Sequence, residues 1–289
     1  MFSRILPWLK FLRLPNVLTV PGDVLAGAAL AGIPFSQTPG PVAAVCLAYL
    51  FGMTFNDLAD LEEDRLHRPE RPLPSGQIPL PQAKGLCLLL AGAALALLPT
   101  PGIVLLLACV TAYTLLKKHS PLAGGLLMAS CRGLSLLIGA GFLRGLSPLF
   151  LKGLSPQILI AALMWFGFIF LVTRLAEREH LPESHTRLPW LIPLWLWLGF
   201  SWLEVYSPLP HVSAWAVAPG IFLLMLSLKP VMDIRRLGAV RPRHIGAFLS
   251  LLIPLQAGVL VLYEQKGFAV GLLLLYPLMK TAIKKIPAS

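Results

Sequence analysis

Apolar residues run through this chain in blocks at 13–33, 39–57, 84–99, 101–117, 121–143, 155–177, 188–205, 212–229, 244–263 and 267–285. Most approach the roughly 17–25 residues that a helix needs to cross a bilayer, so the pattern predicts up to ten membrane helices. The breaks between them alternate in kind. GIPFSQTPG and LPTPG are short and almost chargeless, whereas 56–83, 116–120, 174–188 and 230–244 are long or polar. One end of the bundle should therefore carry the chemistry. Before the first block, FSRILPWLKFL mixes apolar and basic residues about Pro7 and reads as a short helix lying in the interface.

Composition agrees with the pattern. The 289 residues are 56% hydrophobic and 13% charged, with a mean hydropathy of +0.76, more apolar surface than one soluble core hides. No linker, low-complexity tract or composition shift divides residues 1–289, which read as a single domain. Cys46, Cys87, Cys109 and Cys131 lie unpaired in apolar blocks and read as packing residues, with neither a disulfide nor zinc implied. The N-terminus has the charges of a signal peptide, but further spans follow it, and an uncleaved first helix is expected.

The charges give the bundle a direction. Twenty of the 24 Lys and Arg residues fall at one set of helix ends: Arg4, Lys10, Arg13; Arg65, Arg68, Arg71, Lys84; Lys117, Lys118; Arg174, Arg178, Arg187; Lys229, Arg235, Arg236, Arg241, Arg243; Lys280, Lys284, Lys285. Arg144, Lys152 and Lys266 mark the other ends, and Arg132 alone lies within a block. The positive-inside rule makes the first set cytoplasmic, here the inner face of a bacterial plasma membrane. Cations scattered over six helix boundaries do not form a nucleic-acid surface. The Arg235–Arg243 cluster around Asp233 reads as a topological signal, or as a site for anionic lipid.

Against this background the segment Asp57–Glu70 is anomalous, because it holds six of the thirteen acidic residues. Asn56, Asp60 and Asp64 recur every fourth residue and should share one helical face, with Asp57 about a hundred degrees round. Carboxylates and an amide oxygen at the edge of an apolar span suit a hard ion such as Mg²⁺, which keeps waters and takes substrate phosphate oxygens. Arg65, His67, Arg68 and Arg71 follow at once, and would meet the phosphates of such a ligand. The alternative is a solvated charge cluster ending a helix.

NDLADLEEDRLHRPERPLPSG resembles the first signature of UbiA-type membrane prenyltransferases. The resemblance implies an all-α integral membrane bundle of nine to ten transmembrane helices around a central cavity opening to the cytoplasmic side. It implies a polyprenyl diphosphate bound through Mg²⁺, and transfer of its prenyl chain to a lipophilic or aromatic acceptor in the bilayer. Asn56, Asp60 and Asp64 fall on the family's metal positions, Asp57 is the signature's second residue, and Arg68, Arg71, Pro72, Ser75 and Gly76 continue its loop. RLPNVLTVPGDVLAG and YTLLKKHSPLAGGLLMASCRGLSLLIGAG extend the likeness less specifically, to about half of the chain. The family has nine spans, whereas the charge pattern favours ten.

Within those stretches Asn16, Thr19 and Asp23 should share a face of the first helix. Asp23 is a carboxylate inside an apolar span, either functional or a partner of the Pro21–Gly22 kink. Arg132, about 16 Å into its helix, either pairs with Asp23 or faces the substrate chamber. Lys117, one turn from Tyr113, matches a basic position used for diphosphate, or is an ordinary interfacial anchor. After the sixth span the family's second Asp-rich motif is replaced by TRLAEREHLPESH. Glu177 there either ligates a metal or is neutralised by Arg174 and Arg178, Glu179 and Glu183 add negative charge, and His180 and His185 read as loop residues. Trp190, Trp195, Trp197 and Trp202 are expected to anchor the interface, with an aromatic-lined substrate tunnel as the alternative.

Two rivals stand beside the enzyme. A non-catalytic binder or transporter on the same fold is favoured by the altered second motif. A CDP-alcohol phosphotransferase would need DG and AR pairs that do not stand in the corresponding places.

Overall fold

A computed structural model of the chain describes residues 2–141, 155–179, 187–209 and 214–285. Arg144, Lys152, His180, Glu183 and His185 lie outside the described residues, as do the side chains of Arg4, Lys280, Lys284 and Lys285. The described residues form helices α1 (Phe2–Phe11), α2 (Leu14–Val17), α3 (Pro21–Leu30), α4 (Pro39–Ala59), α5 (Leu61–His67), α6 (Leu80–Leu97) and α7 (Pro101–Leu116). There follow α8 (Pro121–Gly139), α9 (Pro156–Ala176), α10 (Leu188–Val205), α11 (Ala214–Leu237), α12 (Pro242–Ser250), α13 (Leu252–Leu262) and α14 (Lys266–Lys285).

Proline starts many of these helices. It stands in the first two positions of α3, α4, α6, α7, α8, α9, α10 and α12, where its missing N–H costs nothing and its fixed φ suits the first turn. Seven helical stretches are long and apolar enough to cross a membrane: 39–59, 80–97, 121–139, 156–176, 188–205, 217–237 and 242–262. Pro101–Leu116 and Lys266–Pro277 are shorter apolar helices. The all-helical membrane fold is as expected, and the described residues hold seven full-length spans beside these two shorter apolar helices.

The first expected span is not one helix. Arg13 sits at φ 46°, α2 lasts one turn, and α3 begins afresh at Pro21. Asn16 and Asp23 therefore occupy separate helices rather than one face.

Chain neighbours pack in sequence: α4 against α6 and α7, α7 on α8, α8 on α9, α9 on α10 and α10 on α11. One buried cluster joins α3, α4, α6, α7 and α8 through Val24, Val45, Ile103 and Ile138. A larger one joins α8–α13 through Trp165, Phe168, Phe200 and Phe248. α3 lies between them, packing on α4, α8 and α13 and closing the bundle. Its crossing with α8 is very tight. A Cβ on Gly27 would stand 2.0 Å from Leu136 O, and one on Gly139 would stand 2.2 Å from Val24 O. Only glycine permits such an approach.

Leu88, Leu89, Leu163, Leu194, Met225 and Leu274 point outward, as a lipid-facing surface requires. Trp190, Trp195, Trp197 and Trp202 are exposed with them on α10, which favours anchoring over a tunnel lining.

Candidate functional site

The acidic signature straddles a break. α4 ends at Ala59, Asp60 takes φ −92° and ψ 3°, and α5 resumes at Leu61. The one continuous helical face expected for Asn56, Asp60 and Asp64 is thus bent at its middle residue. The i→i+4 backbone bonds survive, from Asp60 N to Asn56 O at 3.0 Å and from Asp64 N to Asp60 O at 2.8 Å. Asn56 and Asp60 stay together, with Asn56 Nδ2 donating to Asp60 Oδ2 at 3.1 Å. Asp64 turns into the loop that follows.

Asp57, Asp60, Glu63 and Asp64 are all paired with cations. Arg13 Nη2 lies 2.8 Å from Asp57 Oδ1. Lys117 Nζ lies 2.5 Å from Asp60 Oδ2 and also donates to Asn56 Oδ1. Lys118 Nζ approaches Asp60 Oδ1 at 2.9 Å and Glu63 Oε2 at 2.7 Å. Arg71 Nη1 meets Asp64 Oδ2 at 2.6 Å, with both side chains buried. Burial opposes ionisation of Asp60, but the ammonium groups of Lys117 and Lys118 hold its carboxyl below the usual range. Lys118 likewise holds Glu63 below its ordinary value, and the two carboxylates raise the Lys118 ammonium in turn.

The expected roles therefore separate. Arg71 is committed to Asp64 and fixes the loop, whereas Arg68 is exposed at the end of α5. Glu177, just past α9, is paired with Arg174 on its own helix. Among the described residues no three His, Cys, Asp or Glu side chains converge to hold a metal. The donors that do converge are Asn56 Oδ1 and Asp60 Oδ2, and the atom they share is a cation. An amide oxygen and a carboxylate are donors of the kind that fits Mg²⁺, which needs only one or two carboxylates from protein.

Below this point an apolar cavity of about 60 Å³ opens between α4, α7 and α8, lined by Val20, Val45, Tyr49, Met53, Val110, Tyr113, Met128 and Arg132 among others. Tyr113 links it to the charged end, since Lys117 Nζ stands 5.8 Å from its ring centroid. Tyr49, seven residues before Asn56 on α4 and hence about 10 Å deeper, is among the lining residues. Its ring faces the Arg132 guanidinium at 5.6 Å.

Arg132 does both things the sequence left open. It lines the cavity, and it pairs with Asp23, Nη1 to Oδ2 at 2.6 Å, while Nη2 donates to Thr19 Oγ1 at 2.6 Å. Asp23 is fully enclosed and receives two more bonds on Oδ1, from Trp165 Nε1 and Gln256 Nε2, each 2.7 Å. Gln256 Nε2 also reaches Thr19 O at 2.7 Å. Three side chains from distant segments, Arg132, Trp165 and Gln256, thus meet on the Asp23 carboxylate, as a buried charge requires.

Arg13, Tyr49, Lys118, Trp165 and Gln256 were not singled out for this site. Gln256 carried a signal, an amide within SLLIPLQAGVL; Arg13 and Lys118 looked like ordinary interfacial cations.

Fold and site together define a polytopic helical membrane protein with hard oxygens and cations at the mouth of an apolar cavity. Residues 18–236 match the UbiA prenyltransferase family, and this chain belongs to that family. Among curated relatives, the digeranylgeranylglyceryl phosphate synthase of Ignicoccus hospitalis is 32% identical over 147 residues, 48% of this chain and 48% of the relative. That of Metallosphaera sedula is 30% identical over 142 residues, 46% and 50% of the two chains. The chain spans about half the length of the curated relatives it matches. Among solved structures, a UbiA homologue from Aeropyrum pernix K1 aligns with a TM-score of 0.61 at 19% identity, covering 85% of this chain and 97% of that one. One from Archaeoglobus fulgidus bound to DMAPP and Mg²⁺ gives 0.56 at 14%, covering 89% and 99%. These proteins are archaeal, and nothing in them supports a bacterial membrane for this chain.

Proposed function

We propose that this chain is an intramembrane prenyltransferase that moves a prenyl group from a polyprenyl diphosphate to an acceptor within the bilayer. The observation that carries the reading is the meeting of Asn56 Oδ1 and Asp60 Oδ2 on one cation, directly above an apolar chamber. Asn56 and Asp60 would hold Mg²⁺, with Asp57 and Asp64 keeping Arg13 and Arg71 in register around them. When bound, Mg²⁺ neutralises the charge developing on the departing diphosphate. Lys117 and the exposed Arg68 bind the same phosphates, and Tyr113 turns its ring toward the first carbons of the chain. Val45, Met53, Val110 and Met128 surround the isoprenoid and exclude water from the allylic carbon once the C–O bond weakens. Arg132, held by Asp23 and facing the Tyr49 ring, offers a charged donor along the chamber wall, a place for a polar group of the acceptor.

The acceptor expected from sequence was lipophilic or aromatic. The names of the relatives designate synthesis of digeranylgeranylglyceryl phosphate, which adds a prenylated glyceryl phosphate to the acceptors to be tried. The excess of cations at the Asp60 end of the bundle supports a cytoplasmic site. A binder without chemistry is the second reading, favoured by the pairing of Glu177 with Arg174, which neutralises that carboxylate of the second acidic motif.

Sealed membrane vesicles carrying the chain test activity and sidedness together. Inverted vesicles given Mg²⁺, allylic diphosphates of several lengths and an acceptor panel should release diphosphate and retain the prenyl chain in lipid, whereas right-side-out vesicles should not. Mg²⁺-dependent binding with no release for any pair would make the chain a binder. Release confined to right-side-out vesicles would reverse its orientation.

A further inference from the structure

The cations around the signature are not equivalent. Arg71 is sealed in the loop with Asp64, their side chains 7% and 6% exposed. Lys118 has a second anion, Glu63 at 2.7 Å, which stays beside it whatever happens to the charge of Asp60. Arg13 belongs to Asp57, on the far side of Asn56. Lys117 alone sits between the two oxygens whose chemistry suits a divalent ion, Asn56 Oδ1 and Asp60 Oδ2. Its remaining neighbour is the ring face of Tyr113 at 5.8 Å, at the mouth of the chamber.

An ammonium and a divalent cation cannot share that position. Among the described residues Asp60 is the carboxylate paired with Lys117, so a metal entering by itself would leave the ammonium uncompensated at an apolar mouth. A diphosphate arriving by itself finds the ammonium already engaged by two protein oxygens. Arriving together, the metal takes the protein oxygens and the phosphate takes the ammonium, and no charge is left unpaired. A compact ammonium on a flexible four-carbon stem suits such a transfer better than a guanidinium would. Lys118 meanwhile keeps Asp60 oriented from its anchor on Glu63.

We propose that Lys117 is an exchangeable counter-ion: it holds Asn56 and Asp60 as a ligand pair, and it moves onto the diphosphate when Mg²⁺ takes its place, so that metal and diphosphate bind as a coupled unit. Lys118 is the positioning residue that does not exchange. The inference rests on the reading that this site takes Mg²⁺ and a prenyl diphosphate, and it adds the order of charge transfer within it.

Calorimetry on the full chain in lipid nanodiscs tests it, with MgCl₂ and geranyl thiolodiphosphate, which resists cleavage, added singly and together. The affinity of Mg²⁺ for the ligand in solution is common to all variants and cancels between them. Lys117→Met should bind Mg²⁺ alone more tightly than the wild type, because an internal competitor is gone. It should bind the ligand with Mg²⁺ about tenfold more weakly, the scale of one lost charge-assisted hydrogen bond. Lys118→Met, which removes an orienting contact and not the exchanging charge, should shift the two affinities in the same direction. A structural role for Lys117 would weaken both affinities together, which would overturn the proposal, as would Lys118→Met behaving like Lys117→Met. Lys117→Gln, which retains a donor for Asn56, should give the same opposite signs and replaces the Met variant if that one unfolds. Wild type without any Mg²⁺-dependent binding would overturn the functional reading as well; coupled binding with the wrong sign in Lys117→Met overturns only the exchange.

Discussion

Asp23 shows how far single residues could be read from sequence. A carboxylate inside an apolar block announces a partner, and Arg132 was the one cation within another block. Their pairing and the exposure of Arg132 to the chamber were both open readings, and the fold realises both, the Arg132 side chain remaining 12% accessible and Asp23 none. Trp165 and Gln256 were not legible as partners, because they come from 142 and 233 residues away and no local pattern encodes such a meeting. Removing one member of the pair leaves the other charge buried, which costs about 3–5 kcal/mol. Arg132→Ala should therefore lose about that much stability in reversible unfolding in detergent, and adding Asp23→Leu should recover most of it. If the double variant were no more stable than the single one, the pair would not be the source of the loss.

At the scale of elements, apolar length predicted where helices run better than how they break. The block 13–33 is divided by the end of α2 at Val17 and the restart at Pro21, so Asn16 and Asp23 do not lie on one face. The signature likewise bends at Asp60, where ion pairs to Lys117 and Lys118 hold the turn; cations on another helix leave no trace in the local periodicity. The α3–α8 crossing was also hidden, since two glycines among many small residues do not reveal which backbones touch. Gly139→Ala should cost at least about 1–3 kcal/mol, the usual penalty of overpacking, because the obstructing atoms are backbone of Val24. Gly92→Ala on α6, with nothing within 4 Å, should instead stabilise by up to about 1 kcal/mol through helix propensity. Thermal unfolding of both variants checks this; equal effects would remove the crossing as a constraint.

For the whole molecule, hydropathy and charge were enough to give the class of fold, because a bilayer forces every backbone group into helices and sorts cations to one face. The family signature added the site. Composition could not fix the number of full-length spans, since Pro101–Leu116 and Lys266–Pro277 are apolar yet short. It could not show that the motif carboxylates are held by Arg13, Lys117, Lys118 and Arg71, which is what gives the site its exchangeable charge. The central claim is that Asn56 and Asp60 organise a metal–diphosphate complex for prenyl transfer. Its most direct measurement is Mg²⁺-dependent release of diphosphate by the purified chain from labelled prenyl diphosphates with the acceptor panel, the product identified by mass, in wild type and Asp60→Ala. Release that stops with EDTA and falls about 100-fold or more in Asp60→Ala, the scale of a lost charge-stabilising group, is the predicted result; wild-type release unaffected by either would contradict it.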